Sequence, residues 1–271
     1  MEPALADWQD KSIKVLSSGS QQETNSQHSE ISCPDEISSL TELFSLWKAA
    51  HIDDKEYPSN SHPLINRTNF VEDGFIDIEE YMKTSPKILF ILKEANVVYD
   101  RQIDETGKYT VYRSSLEWIH EEISRGVSHK ILVTLDMMNT AIRKLLFNED
   151  KVVSNLNQIA YMNINKRGGN STTKINTLRE YAKKYKSFIR RQIEILAPDY
   201  VVCCGSDCFN CISEVMGFKY KSKEDYFMSS GMLFIEAMHP SSRKSRNEIT
   251  EDFIRRFTAA LLFKMASNFI V

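Results

Sequence analysis

The sequence lacks several features that would assign it to a special class of protein. No apolar run reaches the length that crosses a membrane, and no apolar segment of a secretory signal peptide follows the first residues. A surplus of basic residues is also missing, because 34 lysines and arginines stand against 37 aspartates and glutamates and the formal net charge is −3. Any binding of nucleic acid therefore needs a local basic patch. We expect a cytoplasmic protein that makes no contact with a membrane.

Cysteine is scarce, and its placement is uneven. Four of the five cysteines lie within positions 203–211, which is not the spread of a disulfide framework in a secreted fold. We therefore expect reduced thiols. Cys208 and Cys211 form a CxxC pattern that either binds a metal or packs as two small apolar side chains. We expect packing, and we predict no metal and no cofactor.

What the sequence does contain is typical of an α/β protein. The run Ile88–Leu92 is apolar throughout, which favours a strand buried on both faces of a parallel sheet. Similar strands are predicted at 159–164, 199–205 and 232–238, and helical patterns alternate with them. Helices are predicted at 40–50, 77–82, 114–124, 132–147, 176–196, from 206 onward and at 248–266. This order predicts a three-layer α/β/α sandwich with a central four-stranded parallel sheet.

Polar residues follow all four predicted strands. They are Glu94 and Asn96, then Asn163, then Gly205 and Ser206, and finally the run from His239 to Arg243. Since the carboxyl ends of parallel strands meet at one edge of a sheet, these side chains are expected to converge there in an arrangement typical of an active site. The alternative for Glu94 is a solvated loop residue that forms a surface ion pair.

Four motifs at these strand ends resemble the uracil-DNA glycosylase superfamily. They are KEAN (93–96), YMNINK (161–166), FIRRQIEILAPDYVVCCG (188–205) and AMHPSS (237–242), in the family's order. The resemblance covers about residues 87–263, with an unmatched insert at about 100–158. It implies that residues 40–271 form one glycosylase-like domain. Residues 1–39 precede that domain as a flexible arm, since much of this stretch is rich in Ser, Gln and Glu.

The resemblance implies hydrolysis of the bond between sugar and base for a flipped uracil-like, damaged or modified base in DNA. His239 would stabilise the negative charge on the departing base. Asn163 would read the pairing edge of the base, because a carboxamide both donates and accepts hydrogen bonds. Ala95, Tyr99 and Lys166 are the other expected substrate contacts, with Tyr99 stacking on the base.

The residue that activates water is the main departure from the family pattern. The aspartate of the best-known branch corresponds to Ala95, so Glu94, Asn96 and Asp100 are the remaining candidates. This departure favours one alternative, a non-catalytic module that binds nucleic acid or nucleotides. A hydrolase acting on another substrate is a third possibility, which rests on fold analogy.

Basic residues are unevenly distributed and suggest where DNA would bind. They are dense between positions 161 and 191 and recur after His239, although helical lysines can also form a merely solvated face. The predicted DNA contacts are Ser206, Ser241, Ser242, Arg243, Lys244 and Arg167. Some family members hold an iron–sulfur cluster, but Gly168, Lys186 and Ser187 stand at or near the corresponding cysteine positions, so no cluster is expected.

Overall fold

A computed structural model describes residues 30–34, 36–54, 69–96, 102–103, 109–110, 114–148, 155–169, 173–218 and 225–268. The helices are α1 (Leu40–Asp53), α2 (Ile78–Lys83), α3 (Ser115–Ser124), α4 (Lys130–Phe147), α5 (Ile175–Lys184), α6 (Lys186–Leu196), α7 (Ser206–Val215) and α8 (Arg246–Asn268). The strands are β1 (Gly74–Phe75), β2 (Ile88–Asn96), β3 (Gln102–Ile103), β4 (Tyr109–Thr110), β5 (Ile159–Gly169), β6 (Tyr200–Cys204), β7 (Tyr226–Ser229) and β8 (Met232–Ala237).

The main sheet contains six strands in the order β1–β5–β2–β6–β8–β7. The four inner strands are parallel to one another, while β1 pairs antiparallel with β5 and β7 pairs antiparallel with β8 at the two edges. The predicted α/β class is confirmed, but the predicted four-stranded parallel sheet is replaced by a six-stranded mixed sheet. Strand β1 has two residues, too few to show a period of two in the sequence. Strand β7 forms a hairpin with β8 through Ser230 and Gly231, both at positive φ.

Helices cover both faces of this sheet because side chains alternate along a strand. Leu89 and Ile91 of β2 pack in a core with residues of α1, α5, α6 and α7. Ile88, Phe90 and Leu92 pack on the other face with residues of α3, α4 and α8. All five side chains are buried, which explains why this strand has an unbroken apolar sequence. Within the described ranges, no helix is both long enough and apolar enough to cross a membrane.

Two predicted boundaries differ from the structure. The predicted helix at 176–196 is two helices, α5 and α6, separated at Tyr185. The predicted arm is also shorter than expected where the structure describes it: the Ile31 N–H donates to the Lys184 carbonyl, the Cys33 N–H donates to Ser187 Oγ, and Ile37 is buried. The domain therefore includes residues before Leu40. Residues 1–29 of that predicted arm lie outside the described residues.

Candidate active site at the carboxyl edge of the sheet

The strand register brings the predicted catalytic side chains to one edge of the sheet. Glu94 pairs with Asn165, and Leu92 pairs with Asn163, so both asparagines lie beside the end of β2. His239 follows β8, which pairs in parallel with β6. This is the edge at which open α/β sheets bind their ligands.

The imidazole of His239 is neutral and has a defined tautomer. Burial, and after it the positive charge of Lys93, lowers its pKa to about 4. The Ser241 N–H donates to Nδ1 over 3.2 Å, and Ser241 Oγ lies 2.8 Å from the same nitrogen. Because Nδ1 accepts this backbone hydrogen bond, the proton of the neutral ring is on Nε2. The ring thus carries one N–H donor that Ser241 does not use.

Lys93 is a site residue that the sequence analysis missed. Its Nζ lies 2.8 Å from Asp207 Oδ2 in the first turn of α7. A Cβ on Gly205 would lie 3.8 Å from Lys93 Cε and 3.9 Å from His239 Cβ. Gly205 has a φ of +110°, which side chains rarely adopt, and it leaves room between these two residues. The signal was present in the sequence, because Lys93 is the first charged residue after the apolar run of β2.

The carboxylate of Glu94 is fixed by the extension of β5. Asn165 Nδ2 donates to Glu94 Oε2 over 3.0 Å. A Cβ on Gly169 would lie 2.2 Å from Glu94 Oε1, so the carboxylate packs directly on the glycine backbone. Burial raises the pKa of Glu94, and hydrogen bonds with Asn165 and Thr173 oppose this shift. The Glu94 carboxyl group is therefore fixed in position and partly desolvated, and it is not a solvated loop side chain.

Three buried side-chain oxygens near the ends of the parallel strands have no hydrogen-bond partner among the described residues. They belong to Asn96 (Oδ1), Asn163 (Oδ1) and Ser242 (Oγ). Asn163 is completely buried. A buried polar atom without a partner costs about 1–3 kcal/mol, so such atoms need a ligand or an ordered water molecule. All three belong to the carboxyl ends of parallel strands or to the loop that follows one, which is the edge where open α/β sheets bind their ligands.

Lys166 and Arg167 do not lie where the sequence analysis predicted. Lys166 Nζ pairs with Asp73 Oδ1 over 2.6 Å, and neither side chain is exposed. Arg167 Nη2 pairs with Asp54 Oδ2 over 3.0 Å, and these two side chains are also buried. The predictions of a substrate contact at Lys166 and of a phosphate contact at Arg167 are therefore corrected. Their charges are neutralised in the interior by acidic residues that lie far away in the sequence.

The other predicted DNA contacts lie at the surface. Ser206, Ser241, Arg243 and Lys244 are exposed, and Ser242 is half-buried. Lys130 Nζ donates to the carbonyl groups of Ser242 (2.6 Å) and Lys244 (2.8 Å), which anchors this loop to α4. Ala95 is half-buried in β2. Tyr99 lies outside the described residues.

The clustered cysteines are buried thiols. Burial raises the pKa of Cys211 to about 12 and that of Cys208 well above its usual value. Protonated thiols are poor metal ligands. In the parts of the chain that the structure covers, no group of three or more His, Cys, Asp or Glu residues could hold a metal ion.

No protein-family model matches this sequence, and a search of curated proteins finds no match. The resemblance to the glycosylase superfamily therefore rests on the four motifs alone.

Proposed function

We propose that this protein is a DNA glycosylase-like enzyme that hydrolyses the N-glycosidic bond of a flipped uracil-like, damaged or modified base. The observation that carries the proposal is the pairing of two features at one sheet edge. One is the neutral His239 with its Nε2–H donor. The other is the buried, unpartnered Oδ1 of Asn163.

In the proposed reaction, His239 acts on the departing base, and Glu94 or Asn96 acts on the attacking water molecule. The base–sugar bond breaks and its electron pair moves to the base, while the oxygen of a water molecule bonds to the sugar carbon. The proton that this water loses neutralises the departed base. His239 donates a hydrogen bond to the oxygen on which negative charge develops, and such a fixed donor stabilises the transition state more than the ground state. The products are a free base and an abasic site. Glu94 or Asn96 orients the water molecule, since both lie at the end of β2.

Two surface features support DNA as the carrier of the base. Arg243 and Lys244 are exposed directly after the His239 loop, where they can approach phosphate groups. Ser206 and Ser241 are exposed at neighbouring strand ends and can donate hydrogen bonds to phosphate oxygens. Arg243 supplies local positive charge that the net charge of −3 does not, and Lys244, which pairs with Glu248 over 3.2 Å, adds to it in part.

A second candidate, a binding module without catalysis, is favoured by one observation. Ala95 stands at the position where the family resemblance implies an aspartate that activates water. In that case the pocket binds a flipped nucleotide or a free nucleotide, and the base is not released.

The test is a single-turnover screen over duplex and single-stranded oligonucleotides, each with one damaged or modified base, followed by strand cleavage at abasic sites. We expect base release from at least one substrate, and loss of release in His239→Ala. Binding of such an oligonucleotide without release from any would establish the binding module. If no oligonucleotide is bound and no base is released, both candidates are rejected.

A further inference from the structure

Lys130 joins helix α4 to the loop that follows β8. Its ammonium group donates to the carbonyl oxygens of Ser242 over 2.6 Å and of Lys244 over 2.8 Å. These carbonyl groups stand on either side of Arg243, so one side chain holds the backbone before and after that exposed arginine. Among the described residues, no carboxylate forms an ion pair with Lys130, so an acidic partner does not account for its position.

The helix that Lys130 begins does not explain the lysine either. A cation in the first turn of a helix faces the positive end of the helix dipole, so Lys130 opposes the formation of α4. The turn before it is fixed by α3, because Glu122 Oε2 accepts from the N–H groups of Ser128 (3.4 Å) and His129 (3.1 Å). Lys130 therefore projects from a fixed backbone, and its contacts with the loop account for a lysine at this position.

The loop is held at both of its ends by its own hydrogen bonds. The Ser242 N–H donates to the His239 carbonyl over 2.9 Å, which closes a tight turn after β8. The Ser245 N–H donates to Glu248 Oε2 over 2.8 Å in the first turn of α8. The carbonyl groups that Lys130 binds lie between these two points. Lys130 thus completes the ordering of the loop between β8 and α8.

We propose that Lys130 is a positioning residue that holds the backbone around Arg243 and thereby preorganises this loop for the phosphate groups of a DNA strand. An exposed guanidinium group fits that partner, because it can donate two parallel hydrogen bonds to one phosphate. A loop that is already ordered loses less conformational entropy on binding, so Lys130 raises the affinity without touching the DNA. This inference rests on the proposed function in taking DNA as the partner.

The first test is amide hydrogen exchange followed by NMR in the free protein, so it needs no DNA. Lys130→Met removes the N–H donors and keeps the length of the side chain, and the Ser242 amide should then exchange about tenfold faster than in the wild type. The Val133 amide, which donates to the His129 carbonyl in the first turn of α4, should keep its protection. Lys130→Arg retains N–H donors and should restore slow exchange at Ser242.

The second test is a double-mutant cycle on the binding of a short DNA duplex that contains a tetrahydrofuran analogue of an abasic site. Lys130→Met and Arg243→Ala should each weaken binding by about tenfold, which corresponds to about 1.4 kcal/mol. Because Lys130 acts through the loop that carries Arg243, the double variant should lose about tenfold to thirtyfold, whereas independent effects would multiply to about a hundredfold. Lys144→Met removes the same charge from the last turn of α4, where the lysine is exposed, and should change binding by less than about twofold.

Faster exchange at Ser242 together with a non-additive cycle would support the inference. Unchanged exchange in Lys130→Met, independent effects in the cycle, or an equal loss of affinity in Lys144→Met would each overturn it, even in a protein that binds the duplex and releases a base. If the duplex is bound but no base is released from any oligonucleotide, the enzyme is rejected and the role of Lys130 stands. Failure of the wild type to bind the duplex would overturn this inference together with the proposed function.

Discussion

At the scale of single residues, the surroundings of His239 determine its charge and its tautomer. Burial and the nearby Lys93 keep the ring neutral, and the Ser241 backbone fixes the proton on Nε2. A protonated histidine would pair with a nearby carboxylate, whereas the neutral ring keeps its N–H donor available for the negative charge that develops on the base. The ion pair with Asp207 fixes the position of the Lys93 ammonium group, so its charge stays near the histidine.

We predict that His239→Ala lowers the single-turnover rate of base release by about 100- to 1000-fold, or about 3–4 kcal/mol, because it removes a donor that acts mainly in the transition state. Equilibrium binding of the same oligonucleotide should change much less. Arg243→Ala is the matched comparison: this exposed residue should contribute to affinity and to its salt dependence, not to the rate of bond cleavage. Weaker binding of His239→Ala at an unchanged rate would contradict the assigned role.

A second prediction concerns the buried pair of Lys166 and Asp73. Removing one charge from a buried pair leaves the other without compensation, which typically lowers the free energy of unfolding by about 3–5 kcal/mol. Lys166→Met and Asp73→Asn should each lower the free energy of unfolding in urea by about that amount, and the double variant should cost clearly less than the sum.

The exposed pair of Lys83 and Glu79 provides the control for this cycle. Its side chains are 67% and 81% exposed, so the same treatment should give at most about 1 kcal/mol. Additive effects at Lys166 and Asp73 would show that the two charges do not depend on each other.

At the scale of elements, the extension of β5 beyond the apolar run organises the end of β2. The two strands pair regularly up to Glu94 and Asn165, and the register then shifts so that Asn96 pairs with Gly169. Asn165 supports the extension with its side chain, because its Oδ1 accepts from the Arg167 N–H and its Nδ2 donates to Glu94. The irregular strand end therefore determines where the Glu94 carboxylate lies.

We predict that Gly169→Ala displaces this carboxylate, because the new Cβ would lie 2.2 Å from Glu94 Oε1. The rate of base release should fall, and the free energy of unfolding should decrease by about 1–3 kcal/mol, as in other overpacked sites. In the background Glu94→Ala the clashing atoms are absent, so Gly169→Ala should then cost much less. An equal cost in both backgrounds would show that the glycine is needed for its backbone and not for this contact.

At the scale of the whole molecule, His51 joins α1 to the layer of helices that contains α5. It is completely buried, and its Nδ1 lies 3.0 Å from the Asn69 carbonyl oxygen and its Nε2 lies 2.8 Å from the Tyr181 hydroxyl. A carbonyl oxygen only accepts, so Nδ1 carries the proton and Nε2 accepts from Tyr181. Burial, and after it the positive charge of Arg167, lowers the pKa of His51 to about 3.

This shift predicts a loss of stability in mild acid. Between about pH 6.5 and about pH 3 the unfolded chain holds a proton on His51 that the folded protein lacks, so stability falls as pH falls, by up to about 1.4 kcal/mol per pH unit. Urea unfolding at several pH values in this window should show a smaller slope for His51→Gln than for the wild type. Replacing the exposed His129 with glutamine should retain the wild-type slope.

The amino-acid sequence alone determined the inner strands and the edge at which the polar residues meet. A strand buried on both faces needs an unbroken apolar run such as Ile88–Leu92, and the chain leaves every inner strand at the same edge. The hairpin signal of Ser230 and Gly231 was also present in the sequence, although β7 was not predicted. These features are local, so a short window of residues contains the information.

Only the tertiary structure decided which charged residues are available to a ligand. Lys166 and Arg167 follow a strand end and look like a basic rim, yet both are buried. Their partners Asp73 and Asp54 lie 93 and 113 residues away in the chain, so no local pattern reveals the ion pairs. The hydrogen bond between Asn163 and Ser115 likewise joins residues that are 48 positions apart, so no local pattern reveals it. Charge in a sequence shows what a residue can bind, whereas the packing of distant segments decides whether that partner is already inside the protein.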